Sequence, residues 1–213
     1  MRFTPVFNCI YYCFFNKTAV DKTTPSGYKV AMSQRIEVFT LSEDGRAKTY
    51  EASFVQKVPG VKKVRVVDVY TIEQPVTNAQ KLADCLQSFT NPVTQKTHII
   101  EGGKAPANDY WETIGDFDWA LEIGYLPGVT DNIGHTASEL TALTLDNNRD
   151  IYSSRLLLID GNLSEDDIQT IAADIHNPLI QRAANKNKEQ FTSDNGMGTV
   201  SYTHLTLPTT SRV

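Results

Sequence analysis

The sequence predicts an α+β fold: two tandem β-α-β-α-β units, residues 34–100 and 117–183, packed as a pseudo-two-fold pair with helices on the outside of small antiparallel sheets. Three observations carry this. Asn91-Pro92-Val93-Thr94-Gln95-Lys96 returns 86 positions later as Asn177-Pro178-Leu179-Ile180-Gln181-Arg182. The apolar positions ahead of each copy correspond as well: Ile72 with Leu158, Leu82 with Ile168, Leu86 with Ala172, Phe89 with Ile175. In both copies a strand-like run and then a helix-like run lead to the Asn-Pro stop. A repeat of this length sets the architecture. Helices on one face of a small sheet leave its other face apolar, so the two units are expected to share a core.

Unit one opens at Arg35-Ile36-Glu37-Val38-Phe39-Thr40-Leu41, where Ile36 and Val38 alternate with Glu37 and Phe39 as in a partly buried strand. Asp44-Gly45 punctuates it. Ala47, Tyr50, Phe54, Val55 and Val58 recur at helical spacing, and Pro59-Gly60 stops that helix. The next run, 61–72, is rich in valine (Val61, Val64, Val66, Val67, Val69), the composition of a buried strand. Thr77 is placed to cap a second helix carrying Ala79, Leu82, Ala83 and Leu86 on one face. Asn91-Pro92 ends it and 94–100 closes the unit.

Residues 101–116 read as a linker. Gly102-Gly103-Lys104 lacks the Gly-x-x-x-x-Gly-Lys-Ser/Thr spacing of a phosphate loop, and Pro106 follows. Unit two begins with the strand-like 118–125. The loop Leu126-Pro127-Gly128-Val129-Thr130-Asp131-Asn132-Ile133-Gly134 runs into a helix with Ile133, Ala137, Leu140, Thr141 and Thr144 on one face. A strand centred on Leu156-Leu157-Leu158-Ile159 follows. Ser164-Glu165-Asp166-Asp167 has the form of a capping box with an acidic first turn, ahead of the apolar stripe Ile168, Ile171, Ala172 and Ile175. Beyond Ala183 the sequence turns polar, and 184–199 reads as the start of a further linker.

The two ends look foreign. Residues 1–31 contain an apolar, aromatic run (6–15) and read as upstream sequence translated in frame, with Met32 the initiator; a signal peptide is the alternative. Residues 200–213 resemble the in-frame translation of a sequencing adapter, so the natural chain is expected to continue past Thr199, and His204 is given no chemistry.

With 40% hydrophobic and 21% charged residues, a net charge of −5 and no Lys/Arg-rich block, the chain has an ordinary globular composition, and nucleic acid is not an expected partner. No apolar stretch reaches the roughly 20 residues of a membrane helix, so no membrane partner is expected. Cys9, Cys13 and Cys85 make neither a disulfide framework nor a zinc-finger spacing, which fits a reducing cytoplasm. His98 falls in a strand, His135 opens a helix and His176 ends one. None carries a nucleophile–base pattern, and HExxH, GxSxG, GxGxxG and CxxC are absent. No catalytic, cofactor-binding or metal residue is assigned, which favours a binding or assembly module.

The run 125–134, followed by Leu140, resembles the Pro-Gly-Val-x-Asp-x-x-Gly signature of the small PurS subunit. Unit one resembles the same subunit with the signature eroded to Asp44-Gly45. Two PurS-like, ferredoxin-like units followed by a linker are similar to the N-terminal domain of the phosphoribosylformylglycinamidine synthase family in its single-chain form, over about residues 34–198. The resemblance implies a ligase of purine biosynthesis that converts formylglycinamide ribonucleotide to its amidine with ATP, magnesium and glutamine-derived ammonia. Its synthetase and glutaminase domains, the implied partners, would lie further along the chain. No catalytic motif of that family falls on any residue here, so the fragment is expected to be inactive alone. Pro127, Gly128, Asp131 and Gly134 are the candidate inter-domain or substrate-region loop: the helix after Gly134 offers amide hydrogens to an anion or a carbonyl. A purely structural turn is the other reading of that loop. The functional alternatives are a free-standing tandem ferredoxin-like small-molecule sensor and a stand-alone PurS-type interaction subunit.

Overall fold

The computed structural model describes residues 33–101, 104–145 and 149–198. The readings of 1–31 and 200–213 fall outside the described residues. The elements are β1 (Gln34–Thr40), α1 (Gly45–Lys57), β2 (Val61–Ile72), α2 (Ala79–Gln87), β3 (Gln95–Glu101), α3 (Asn108–Ile114), β4 (Trp119–Tyr125), α4 (Asn132–Thr144), β5 (Ile151–Gly161), α5 (Glu165–Ile175), β6 (Gln181–Asn187) and α6 (Lys188–Ser193).

The strands form one antiparallel sheet in the order β3-β1-β2-β5-β4-β6. This α+β architecture departs from the expectation of two small sheets sharing a core. The halves join edge to edge, and three strands per half in this order are not a ferredoxin-like β-α-β-β-α-β arrangement. The reason lies in β2 and β5. They are the longest strands, with apolar residues buried on both faces, and pairing them removes two exposed edges at once.

The halves nevertheless thread alike. Val38 of β1 lies opposite Asp68 of β2 and Thr97 of β3, while Ile123 of β4 lies opposite Arg155 of β5 and Ala183 of β6. The repeated Asn-Pro corners match bond for bond. Asn91 Oδ1 accepts the Val93 amide at 3.0 Å and Gln95 Oε1 accepts the Asn91 amide at 2.8 Å. Asn177 and Gln181 make the same two bonds to Leu179 and Asn177, each at 3.0 Å. The shared residues are therefore turn chemistry: an Asx turn with proline at its second position, then a glutamine tying the strand start back to it.

Helices α1 and α5 cover one part of the first sheet face, burying Phe54, Val58, Val66, Leu121, Leu157 and Ile168 among others. Helices α2 and α4 cover the other part, over Ile36, Val38, Ile72 and Ile151. The opposite face is covered by α3 and α6, with Tyr110, Ile114, Phe117 and Phe191 packed on Phe39, Val67, Leu156 and Leu158. Helices α3 and α6, which fall in the two stretches read as linkers, thus supply the second layer. Only a few of their residues carry the burial, which is why their polar composition hides it. Strand β6, an edge strand, needs backbone pairing to β4 rather than an apolar face, and all seven of its residues are half-buried.

The apolar stripe of α4 is also rotated from expectation. Gly134, Ala137 and Thr141 face the sheet, while Ile133 and Leu140 are exposed. Small residues allow this helix to approach β5 closely. The capping box at Ser164 forms as its sequence indicates, Ser164 and Asp167 bonding reciprocally.

Candidate functional site

The pairing of β2 with β5 places Asp68 directly opposite Arg155. These residues also hold equivalent places in the two repeats, opposite Val38 and Ile123. The local pseudo-two-fold axis therefore passes between them. Two helix pairs, α1 with α5 and α2 with α4, flank that axis, and between them a cleft of about 320 Å³ opens onto the strands. This volume lies at the lower end of the range for small-molecule sites.

Asp68 and Arg155 lie in the lining; Asp68 interrupts the valines Val66, Val67 and Val69, and Arg155 directly precedes Leu156-Leu157-Leu158-Ile159. Arg46, in the first turn of α1, grips Asp68 with both terminal nitrogens, Nη1 to Oδ1 at 2.8 Å and Nη2 to Oδ2 at 3.0 Å. Its other side bonds to Asp44, the residue capping α1. Arg46 is thus saturated by two carboxylates, and its guanidinium is held well above its ordinary range by the bonds to Asp68 and Asp44 against a desolvation cost.

Arg155 is different. Its Nη1 donates to the Tyr50 hydroxyl at 2.7 Å, its Nε is buried without a hydrogen-bond partner, and no salt bridge joins it to a carboxylate among the described residues. Tyr50, Tyr70, Tyr125, Ile123, Ile133 and Ile175 line the cleft as well, with Ser153, Ser154 and Gln181 among its polar members. Burial, with the nearby Asp68 charge, pushes the Tyr70 phenol above its ordinary value, so it stands there as a neutral hydroxyl.

The loop singled out in the sequence adjoins this cleft. Leu126-Pro127-Gly128-Val129 is a tight turn closed by the Val129 amide on the Leu126 carbonyl at 3.1 Å, with Gly128 at φ +84°. A φ of that sign at the third position is the reason for glycine there. Asp131 caps α4, its Oδ1 accepting the Gly134 amide at 2.8 Å. The same carboxylate accepts the Ser153 amide at 2.5 Å and the Ser153 hydroxyl at 2.8 Å. A side chain on Gly134 would meet the Ile151 carbonyl oxygen at 2.4 Å. Asp131 and Gly134 together clamp α4 against β5, and the helix start already carries a carboxylate where an anion was envisaged. Tyr125 and Ser153 line both the axial cleft and the small cavity under Pro127 and Gly128.

A second polar cluster is enclosed on the opposite sheet face. Arg35 Nε donates to Glu37 at 2.6 Å, and its Nη1 donates to Glu122 at 2.9 Å. The Tyr110 hydroxyl donates to Glu37 at 3.0 Å and Ser154 Oγ donates to Glu122 at 2.5 Å. Glu37 and Glu122 occupy the same position in the central strand of each half.

None of the described histidines lines the cleft. His98 Nε2 contacts Thr113 Oγ1 at 2.9 Å, His135 lies 3.6 Å from Glu139 at the surface, and His176 Nδ1 meets the Ala172 carbonyl at the end of α5. Among the described residues, no group of three or more His, Cys, Asp or Glu side chains is arranged to hold a metal ion, and no helix is long and apolar enough to cross a membrane.

The cleft residues Arg46, Tyr50, Asp68 and Arg155 escape a motif search. The one available signal is Asp68, a charged break in the valine run of β2. Comparison with family models and with curated proteins finds no match for this chain.

Proposed function

We propose that this chain is an assembly and substrate-region module of an ATP- and glutamine-dependent ligase that converts formylglycinamide ribonucleotide to its amidine in purine biosynthesis. It would consist of two fused PurS-like units acting in the cytoplasm beside the synthetase and glutaminase domains of the same enzyme, which would bind ATP, magnesium, the ribonucleotide and glutamine. The observation that carries this reading is the fused pair itself. Two β-α-β-α-β halves share strand register and corner bonds, and one retains the Pro-Gly-Val-x-Asp-x-x-Gly loop as a helix clamp. A docking role draws support from α4, whose Ile133, Leu140 and Leu143 are 52%, 39% and 85% exposed. Exposed apolar side chains along one helix suit a protein partner.

The test is to read the source gene past codon 199. A frame continuing into a synthetase domain supports the proposal, and a stop codon there overturns it. The second reading, a free-standing small-molecule sensor, draws on a different observation: the axial cleft with its unpaired arginine. A stop codon and ligand binding by the isolated chain would support that reading.

A further inference from the structure

We infer that the axial cleft is a binding site for a small monoanion, a carboxylate carried on a flat apolar body, with Arg155 as its anchor. This goes beyond the assembly reading and holds whether or not that reading does. The unequal pairing of the two arginines is the first ground. Arg46 is already bound to Asp68 and Asp44. Arg155 has no carboxylate partner among the described residues. It makes one hydrogen bond among the described residues, through Nη1 to Tyr50, and its Nε is left without a partner. A half-buried guanidinium that lines a cleft without a carboxylate partner favours a planar oxyanion.

The walls are the second ground. Tyr50, Tyr70 and Tyr125 supply rings, while Ile123, Ile133 and Ile175 supply aliphatic surface. With Ser153, Ser154 and Gln181 also in the lining, the cleft offers rings and aliphatic surface to a ligand's body and polar groups to its carboxylate. Asp68 beside Arg155 disfavours a second negative charge, which selects a carboxylate over a phosphate dianion. The place of the cleft is the third ground. It sits on the pseudo-two-fold axis, yet its floor is unequal, aspartate on one side and arginine on the other. An asymmetric ligand therefore enters in one orientation.

The experiment is titration of the full chain, labelled with ¹⁵N, with benzoate, with its neutral isostere benzamide and with inorganic phosphate. Saturable shifts of the Tyr50, Tyr125 and Gln181 amides with benzoate, and none with benzamide, are expected. Arg155→Met should weaken benzoate binding about tenfold or more, the loss of a charge-assisted pair. Ile133→Trp, at an exposed position on the cleft wall, should block binding while leaving the core untouched. This variant keeps the test decisive if Arg155→Met fails to fold. Benzoate shifts that do not saturate, or that persist in Ile133→Trp, overturn the site. Saturable phosphate shifts at the same amides, stronger than those of benzoate, overturn the carboxylate assignment.

Discussion

Asp131 and Ser153 join helix α4 to strand β5 through two hydrogen bonds, from the Ser153 amide at 2.5 Å and the Ser153 hydroxyl at 2.8 Å, while the same carboxylate caps the helix at Gly134. One side chain thus satisfies a helix-start amide and a strand amide that would otherwise be left without partners. Asp131→Ala should cost about 2–3 kcal/mol, a cap plus orphaned buried donors. The corresponding Asp44 caps α1 but bonds to Arg46 rather than to strand backbone, so Asp44→Ala should cost about 1 kcal/mol. Urea unfolding of both variants checks the ranking, and equal losses would refute the clamp.

Gly134 is required by distance and not by backbone angle. An added methyl would sit 2.4 Å from the Ile151 carbonyl oxygen of β5 and 2.5 Å from the Asp131 carboxylate that makes the clamp. Gly134→Ala should therefore destabilise by about 2–3 kcal/mol despite alanine's higher helix propensity. Unit one carries Ala47 at the corresponding place, buried on the sheet. Ala47→Gly should cost only about 1 kcal/mol. Thermal or urea unfolding distinguishes the two, and a neutral or stabilising Gly134→Ala would show that the helix has room to move.

The repeat was legible because its signal is local. Asn91, Pro92 and Gln95 fix a corner by bonds within five residues, and Asn177, Pro178 and Gln181 do the same, so sequence similarity reports geometry directly. The way the halves meet was not legible, because strand neighbours are chosen by tertiary pairing. Nothing in 61–72 or 151–161 states that they lie side by side. Charge placement shows the same limit. Glu37 looks like the polar side of a half-exposed strand, yet it is fully enclosed, because Arg35 and Tyr110 meet its carboxylate. The cleft depends on Asp68 facing Arg155, a consequence of that pairing, so its residues carry no motif.

Phe191 shows what a polar segment can conceal. It is completely buried among Trp111, Phe117 and the sheet, with its ring 5.2 Å from that of Phe117 in an edge-on contact. Phe191→Ala should cost about 3–4 kcal/mol and reduce the cooperativity of unfolding. Leu143→Ala, at a position 85% exposed on α4, should change stability by less than about 0.5 kcal/mol. If both variants unfold at the wild-type urea midpoint, α6 does not belong to the folded core.

The enclosed Arg35–Glu37–Glu122 cluster predicts strong non-additivity. Arg35 serves two carboxylates, and its Nη2 is buried without a partner. Arg35→Met strands both glutamates and should cost about 3–5 kcal/mol. Adding Glu37→Gln and Glu122→Gln to that variant removes the stranded charges and should recover part of the loss, although each glutamine change alone in the wild-type chain destabilises it. A double-mutant cycle measures the coupling, and simple additivity would contradict a shared buried ion cluster.

His98 predicts a pH dependence of known sign. Burial pushes its imidazole below the ordinary value, Asp109 opposes this and Lys96 adds to it. Its ring packs edge-on against Phe39 and Tyr110, and its Nε2 meets Thr113 Oγ1. In the unfolded chain the imidazole takes up a proton near pH ~6.5, while the folded chain resists until the pH is lower. The unfolded state therefore binds more protons in that window, and stability is lost as pH falls from ~6.5 through the folded pKa. His98→Gln keeps a polar atom for Thr113 without a titrating ring. It should flatten the stability profile between about pH 7.5 and 5.5 relative to wild type, as measured by urea midpoints at each pH. An unchanged slope in that variant would assign the acid sensitivity to other groups.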